Sequence, residues 1–312
     1  MPVPAMIRRP SAGPLTALVV LALVGGACAA GPAATPRSTP NPSAPVAASP
    51  ASSAPPATAT FGPDDVIHPK GAAEIVLRYD VGGGFVPVEF SVGHVPQFTL
   101  YGDGRVIVAG TSESGGPSPD GVMTGAQLRT AVLGESQVQD LLRFALLEGG
   151  LGVARGPYDA GGVADAPTTT FEIHADGNDR TVSAYALGIG SSGADAPIRA
   201  SLTRLADRLA SFGGGGAAWE PVTYRAMLLD ATGITGVKVR AWPWTDVRQA
   251  DFRNDPASTG LPVRKRTLTA TEAQALGVAG FEGGILSGFY VRLDDGTTAQ
   301  LVVRPLLPDE RS

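Results

Sequence analysis

The stretch that decides the fold is Gln97–Val108, Gln-Phe-Thr-Leu-Tyr-Gly-Asp-Gly-Arg-Val-Ile-Val. Two apolar runs flank Asp103-Gly104, a pair that tolerates the positive φ angles of a tight turn. The pattern therefore predicts a β-hairpin. Two further hairpins of this kind are predicted at Thr168–Leu187 and Gly288–Leu306, about Asp176-Gly177 and Asp295-Gly296.

Helical periodicity separates these hairpins. Apolar residues at three- and four-residue spacing predict a helix from Ser136, paired with Gln139 in a capping box, and a longer helix from Asp195 to Phe212. A short helix is predicted at Leu268–Leu276, capped by Thr271 and Gln274. Further strands are predicted at Glu74–Val81, Phe85–Val92, Leu128–Val132, Val222–Asp230 and Gly236–Trp244. The expected fold class is α+β, with antiparallel hairpins and a few packed helices.

Four consecutive glycines, Gly213–Gly216, mark the predicted boundary between a first α+β module, residues 62–213, and a second, residues 217–312. The two parts echo each other, because Leu133–Leu141 aligns with Leu268–Leu276 and an Asp-Gly hairpin follows both. One interpretation is a diverged tandem duplication. The alternative is chance, since capped helices and Asp-Gly hairpins recur in many α+β proteins.

The N-terminus has the organisation of an export signal. Two arginines precede an apolar run, Leu15–Val24, and small residues then lead to Cys28, the only cysteine in the chain. Residues 1–27 resemble a bacterial lipoprotein signal, although Gly25 stands where leucine is usual. The resemblance implies that the Cys28 sulfur carries a diacylglycerol. The alternatives are an ordinary secretory peptide and an uncleaved N-terminal anchor.

Residues 28–61 are predicted to form a tether. Nearly every residue after Cys28 in this range is Ala, Pro, Ser or Thr, so the segment has no core to bury and is expected to stay disordered. Its reach would be about 30 Å as a flexible coil and about 100 Å as a polyproline helix. The predicted location is the extracytoplasmic face of the cell membrane, with a lipid anchor.

Composition narrows the function classes. The 312 residues include 24 Lys and Arg against 29 Asp and Glu, a formal charge of −5, which argues against a nucleic-acid partner. A single cysteine excludes a disulfide framework within the chain and a cysteine-rich zinc site.

No catalytic motif is found. The nearest approaches to a nucleophile elbow, at residues 190–193 and at Ser287-Gly288, have the wrong spacing. The glycine runs at 82–84 and 213–216 lack the Lys-Ser/Thr of a phosphate loop. We therefore predict no catalytic residue, no metal ligand and no cofactor.

Histidines and hydroxyl residues give weaker signals. His68, His94 and His174 are far apart in sequence and are predicted to be separate surface side chains. The threonines of Ala164–Phe171, which follow Asp165, could line a cleft or decorate one face of a strand.

Trp242-Pro243-Trp244 is the candidate binding motif. In a strand, Trp242 and Trp244 would share one face, and Pro243 favours a sheet edge. Two parallel exposed indoles could stack on a sugar ring or a partner peptide. The alternative is that both rings face the core. The basic run Arg264-Lys265-Arg266 is expected to be a solvated strand end.

Pro96–Val108, followed by Ala164–Phe171, resembles exported bacterial envelope lipoproteins of unknown function. The resemblance covers mainly residues 62–212 and implies no activity or site residue. The expected function is a lipid-anchored envelope protein with a non-catalytic binding or structural module. Its expected partners are the membrane, through the lipid, and another protein or a wall polymer. The alternative is an extracytoplasmic hydrolase whose site is assembled from distant residues.

Overall fold

The computed structural model describes residues 62, 64–110, 118, 120–125, 127–189, 193–256, 262–279, 281 and 283–310. These residues form two antiparallel β-sheets of seven strands each and four α-helices, so the predicted α+β class is confirmed. The predicted signal peptide, Cys28 and the tether lie outside the described residues. No helix in the described part of the chain is long and apolar enough to cross a bilayer.

Fourteen strands are found in the described residues. They are β1 (Ile75–Gly82), β2 (Phe98–Tyr101), β3 (Arg105–Val108), β4 (Met123–Thr124), β5 (Arg129–Val132), β6 (Thr168–Ala175), β7 (Asn178–Tyr185), β8 (Ala217–Ala218), β9 (Thr223–Asp230), β10 (Val239–Arg240), β11 (Arg253–Asn254), β12 (Val263–Thr269), β13 (Leu286–Arg292) and β14 (Thr298–Pro305). The helices are α1 (Val88–Val92), α2 (Glu135–Leu146), α3 (Ala196–Ala210) and α4 (Ala270–Gln274).

The first sheet has the order β7-β6-β1-β2-β3-β5-β8 and contains two of the predicted hairpins. The turn between β6 and β7 places Asp176 at φ 50° and Gly177 at φ 69°, the left-handed conformation that an Asp-Gly pair tolerates. Helices α2 and α3 cover one face of this sheet. The core between them contains Leu77, Phe98, Leu100, Phe171 and Ile173 from the strands, and Leu141, Leu142, Leu202, Leu205 and Leu209 from the helices.

The second sheet has the order β10-β13-β14-β9-β12-β11, and β4 also pairs with β13. Its third predicted hairpin, β13–β14, is confirmed. The predicted strand Gly236–Trp244 is reduced to the two residues of β10, which pair in parallel with β13.

The predicted strand Phe85–Val92 is wrong, because its second half is helix α1. Val88 and Val92 are four residues apart, so the helical turn places both on one side, where they pack on the second sheet. A side chain at Gly93 would lie 3.1 Å from Val302 and 3.2 Å from Ile285. Glycine at this position therefore allows the close contact.

Two predicted helix caps are displaced by two residues. Helix α2 is preceded by Gly134, whose N–H donates to the Gln137 side chain at 2.9 Å, and α4 is capped by Thr269 with Glu272. Gln139, predicted as a capping residue, is instead buried and hydrogen bonds to both backbone groups of Val66. It thereby ties the N-terminal end of the folded part to α2.

Glu135 strengthens the same attachment. Burial by itself would raise the pKa of its carboxyl, but hydrogen bonds from Lys70, Gln139 and His68 outweigh burial and lower that pKa to about 2. The carboxylate therefore stays charged and holds residues 68–70 against the start of α2.

Strands from the two predicted modules pair with each other across the predicted boundary. Strand β8, beyond the glycine boundary, pairs with β5, and β4, before the boundary, pairs with β13. In the first sheet the β6–β7 hairpin joins β1 through its first strand, whereas in the second the β13–β14 hairpin joins β9 through its second strand. The strand orders thus differ and give no support to a duplication.

A C-terminal turn, Pro308–Glu310, connects the two sheets. Asp309 lies 2.8 Å from the Arg78 guanidinium on β1 and accepts a 2.7 Å hydrogen bond from the Tyr101 hydroxyl on β2. Burial raises the pKa of Tyr101, and the Asp309 carboxylate raises it further, so the phenol stays protonated. Glu310 pairs through both carboxylate oxygens with Arg304 on β14.

Replacing Asp309 with alanine should destabilise the protein strongly. The substitution leaves Arg78 without its nearest counter-charge, although only 17% of that side chain is exposed. We expect the free energy of unfolding to fall by about 3 kcal/mol in urea denaturation.

Asp120 provides the matched control. It also bridges two cations, Lys238 and Arg240, but at an exposed position. Asp120→Ala should leave the denaturation midpoint nearly unchanged. Equal shifts for the two variants would contradict the bridging role of Asp309.

Candidate functional site

A cavity of about 700 Å³ opens where the two sheets meet. Its wall is formed by the ends of β1 and β3, by α1 and the turn that follows it, by β4 and by the start of β13. Concave sites of this size at the junction of structural layers are where proteins usually bind small molecules. The cavity is therefore the candidate functional site.

Most of the cavity wall is apolar. Leu128 and Ile285 belong to the cluster that joins the sheets and form the interior of the wall. Val86 and Phe90 also line the cavity, and 47% and 50% of these two side chains are exposed. Phe85 next to them is 91% exposed. The opening thus carries apolar side chains that water covers in the free protein.

One histidine, His94, lies in this apolar surrounding. A ring nitrogen of His94, Nε2, hydrogen bonds to the Asp80 carboxylate near the end of β1. Within the described residues, the other ring nitrogen, Nδ1, has no hydrogen-bond partner. The prediction of three separate surface histidines thus misses the pairing of His94, because Asp80 is 14 residues away in the chain.

The polar part of the wall also contains the carboxylate of Glu89 and three hydroxyl groups. Ser91, Thr124 and Ser287 line the cavity, and their side chains form no hydrogen bond with the described part of the protein. Gln97 also lines it, but its side chain is occupied by both backbone groups of Val81. The free hydroxyls can therefore bond to a ligand without breaking a protein contact.

The other histidines lie elsewhere. His68 is buried, with 5% exposure, and bonds to the Pro69 carbonyl and to Glu135, so its predicted surface position is wrong. His174 on β6 lies between Glu172 and Asp179 at 2.9 and 2.8 Å. Among the described residues, no group of three or more His, Cys, Asp or Glu side chains has the geometry of a metal site.

The tryptophan pair does not have the expected geometry. Trp242 and Trp244 follow β10 rather than lying within it, and their rings meet edge to face at a 5.2 Å centroid distance. Both indole N–H groups donate to backbone carbonyls, those of Val247 and Glu272. Trp244 is buried and Trp242 packs on the same core, so two parallel exposed indoles are not formed.

The remaining candidate hydroxyl residues, the threonines before Phe171, lie on a strand. Thr168–Thr170 lie in β6, where side chains alternate between the two faces of the sheet, and none of them lines the cavity. Asp165 has a positive φ of 57°, and its carbonyl accepts from the Phe85 N–H at 3.4 Å. The candidate elbow at residues 190–193 lies outside the described residues except for Gly193.

The chain matches no protein-family model, no curated protein and no solved structure. The site is accordingly defined by the geometry of this chain alone. Its signature is a mostly apolar cavity lined by three free hydroxyls, by the Glu89 carboxylate and by His94, whose ring hydrogen bonds to Asp80. Such a cavity can hold an apolar molecule and orient one polar group, and the His–Asp pair can accept or donate a proton.

Proposed function

We propose that this protein is a lipid-anchored envelope protein on the extracytoplasmic face of the membrane, and that its folded part binds a small amphipathic molecule. The cavity between the sheets is the single observation that carries the binding role. The export signal and Cys28 in the sequence support the location. Membrane attachment would come from the lipid and not from the described fold.

The cavity lining favours a particular kind of ligand. Its apolar wall stabilises an apolar body by removing that body from water. Ser91, Thr124 and Ser287 supply unused hydrogen-bonding groups, which suit one polar head on the ligand. The cavity thus favours a small amphipathic molecule over the wall polymer considered from the sequence, since a polymer needs an extended groove.

Filling the cavity should weaken ligand binding. Thr124 lies on the short strand β4 and lines the cavity, so Thr124→Trp places an indole inside it. We expect this variant to bind the neutral fluorescent probe N-phenyl-1-naphthylamine at least about tenfold more weakly than the wild type, measured by fluorescence titration.

Thr181→Trp is the control for this experiment. Thr181 is an exposed threonine on the edge strand β7 and does not line the cavity. Its affinity for the probe should stay within about twofold of the wild type. Equal probe affinity in both variants would remove the cavity as the binding site.

Lipidation of Cys28 can be tested directly. Cells fed radioactive palmitate should label the wild-type protein, and Cys28→Ala should lose the label, because the cysteine sulfur is the proposed attachment atom. Retention of the label in Cys28→Ala would overturn the proposed anchor while leaving the cavity unaffected.

A hydrolase is the second candidate function, and it is favoured by His94, which lines the cavity and hydrogen bonds to Asp80. A carboxylate that orients a histidine is half of a nucleophile-activating arrangement. The other half is not assembled, since no hydroxyl among the described residues hydrogen bonds to His94. Binding without catalysis is therefore the better supported function.

A fluorophosphonate probe distinguishes the two functions. A hydrolase would be labelled covalently, and His94→Gln would abolish the labelling, whereas His174→Gln, outside the cavity, would retain it. The proposed binding function predicts no labelling of the wild type under conditions in which a serine hydrolase control is labelled fully.

A further inference from the structure

Two arginines lie directly opposite each other on the second sheet. Arg304 on β14 is the register partner of Arg225 on β9, and Thr267 on β12 is the partner of Arg225 on the other side. Like charges at directly opposed strand positions repel each other and destabilise the sheet unless a negative group neutralises them.

Only one of these two arginines is neutralised by a protein group. Arg304 forms a bidentate pair with Glu310, at 2.8 and 2.7 Å. Arg225 forms neither an ion pair nor a hydrogen bond in the part of the chain that the structure describes. The row thus retains one uncompensated positive charge at a half-buried position.

Unused hydrogen-bond donors surround the same charge. The Nε atom of Arg225 and the Oγ1 atom of Thr223 are both buried without a hydrogen-bond partner. Thr223 is two residues from Arg225 on β9, so both side chains lie on one face of the sheet. Buried polar groups are usually hydrogen-bonded in folded proteins, so these two neighbouring atoms are both available to an acceptor.

The position is also open to a ligand. Thr267, beside Arg225 in the register, is exposed, and the terminal nitrogens of Arg225 are not among the buried unpaired atoms. A water molecule could accept from these donors, but it would not neutralise the charge. An oxyanion does both, and the planar guanidinium fork matches the spacing of its oxygens.

We propose that Arg225 is the centre of an oxyanion-binding site that takes a phosphate or carboxylate group, with Thr223 and Thr267 as hydroxyl donors. None of these three residues lines the cavity. The site is therefore independent of the proposed function and would exist even if the cavity bound nothing. The bound anion would neutralise Arg225 and relieve its repulsion with Arg304.

The experiment measures the effect of inorganic phosphate on the whole protein. Thermal unfolding is followed in phosphate, acetate and chloride at equal ionic strength, and phosphate affinity is measured by isothermal titration. We expect phosphate or acetate to raise the melting temperature of the wild type relative to chloride. Arg225→Gln should lose this shift and bind the anion at least about tenfold more weakly.

Arg253→Gln is the matched control, because Arg253 is an exposed arginine on β11 of the same sheet. It should retain the phosphate effect. Thr223→Val gives a second test: in chloride it should be as stable as the wild type, because it removes a buried donor without a partner, yet its phosphate affinity should fall.

If neither phosphate nor acetate stabilises the wild type more than Arg225→Gln, the site does not exist. If Arg225→Gln is less stable by the same amount in all three salts, Arg225 has a structural role only.

Short-chain phosphatidylglycerol, added below its micelle concentration, distinguishes a lipid headgroup from a free anion as the natural source of the phosphate group. Tighter binding than free phosphate assigns a lipid headgroup, and weaker binding assigns a free anion.

Discussion

The architecture depends on the contact of Asp309 with Arg78 and Tyr101. These groups lie on the face of the first sheet that the helices leave uncovered, and a charge there is stable only when its partner is close. The neighbouring residue, Glu310, holds Arg304 of the second sheet in the same way. One short turn at the end of the described chain therefore fixes the relative position of both sheets.

The cavity is a consequence of that arrangement. Apolar residues close part of the junction, among them Tyr101, Leu128, Trp219 and Leu307. Helix α1 closes another part by packing Val88 and Val92 on the second sheet. The cavity lies between these two contacts and is lined by strand ends, by α1 and by turns. A binding site at this junction needs no additional domain.

Binding at the cavity and binding at the proposed anion site would be driven by different interactions. The cavity is apolar with few polar groups, so burial of apolar surface would dominate its affinity. The Arg225 site has no apolar pocket and would depend on charge neutralisation, which salt weakens. The two sites therefore respond to different solution conditions, and each can be removed without the other.

The sequence by itself determined the α+β class, the three Asp-Gly hairpins and helix α3, because turn geometry and periodicity are local properties. It misassigned Phe85–Val92, since packing of Val88 and Val92 on the second sheet overrode the local alternation. It left open whether Trp242 and Trp244 are exposed or face the core, and the structure places them at the core. Only the tertiary structure placed His94 beside Asp80 and Arg225 beside Arg304. Such pairs join residues far apart in the chain, and their proximity follows from strand order and register, which no local pattern encodes.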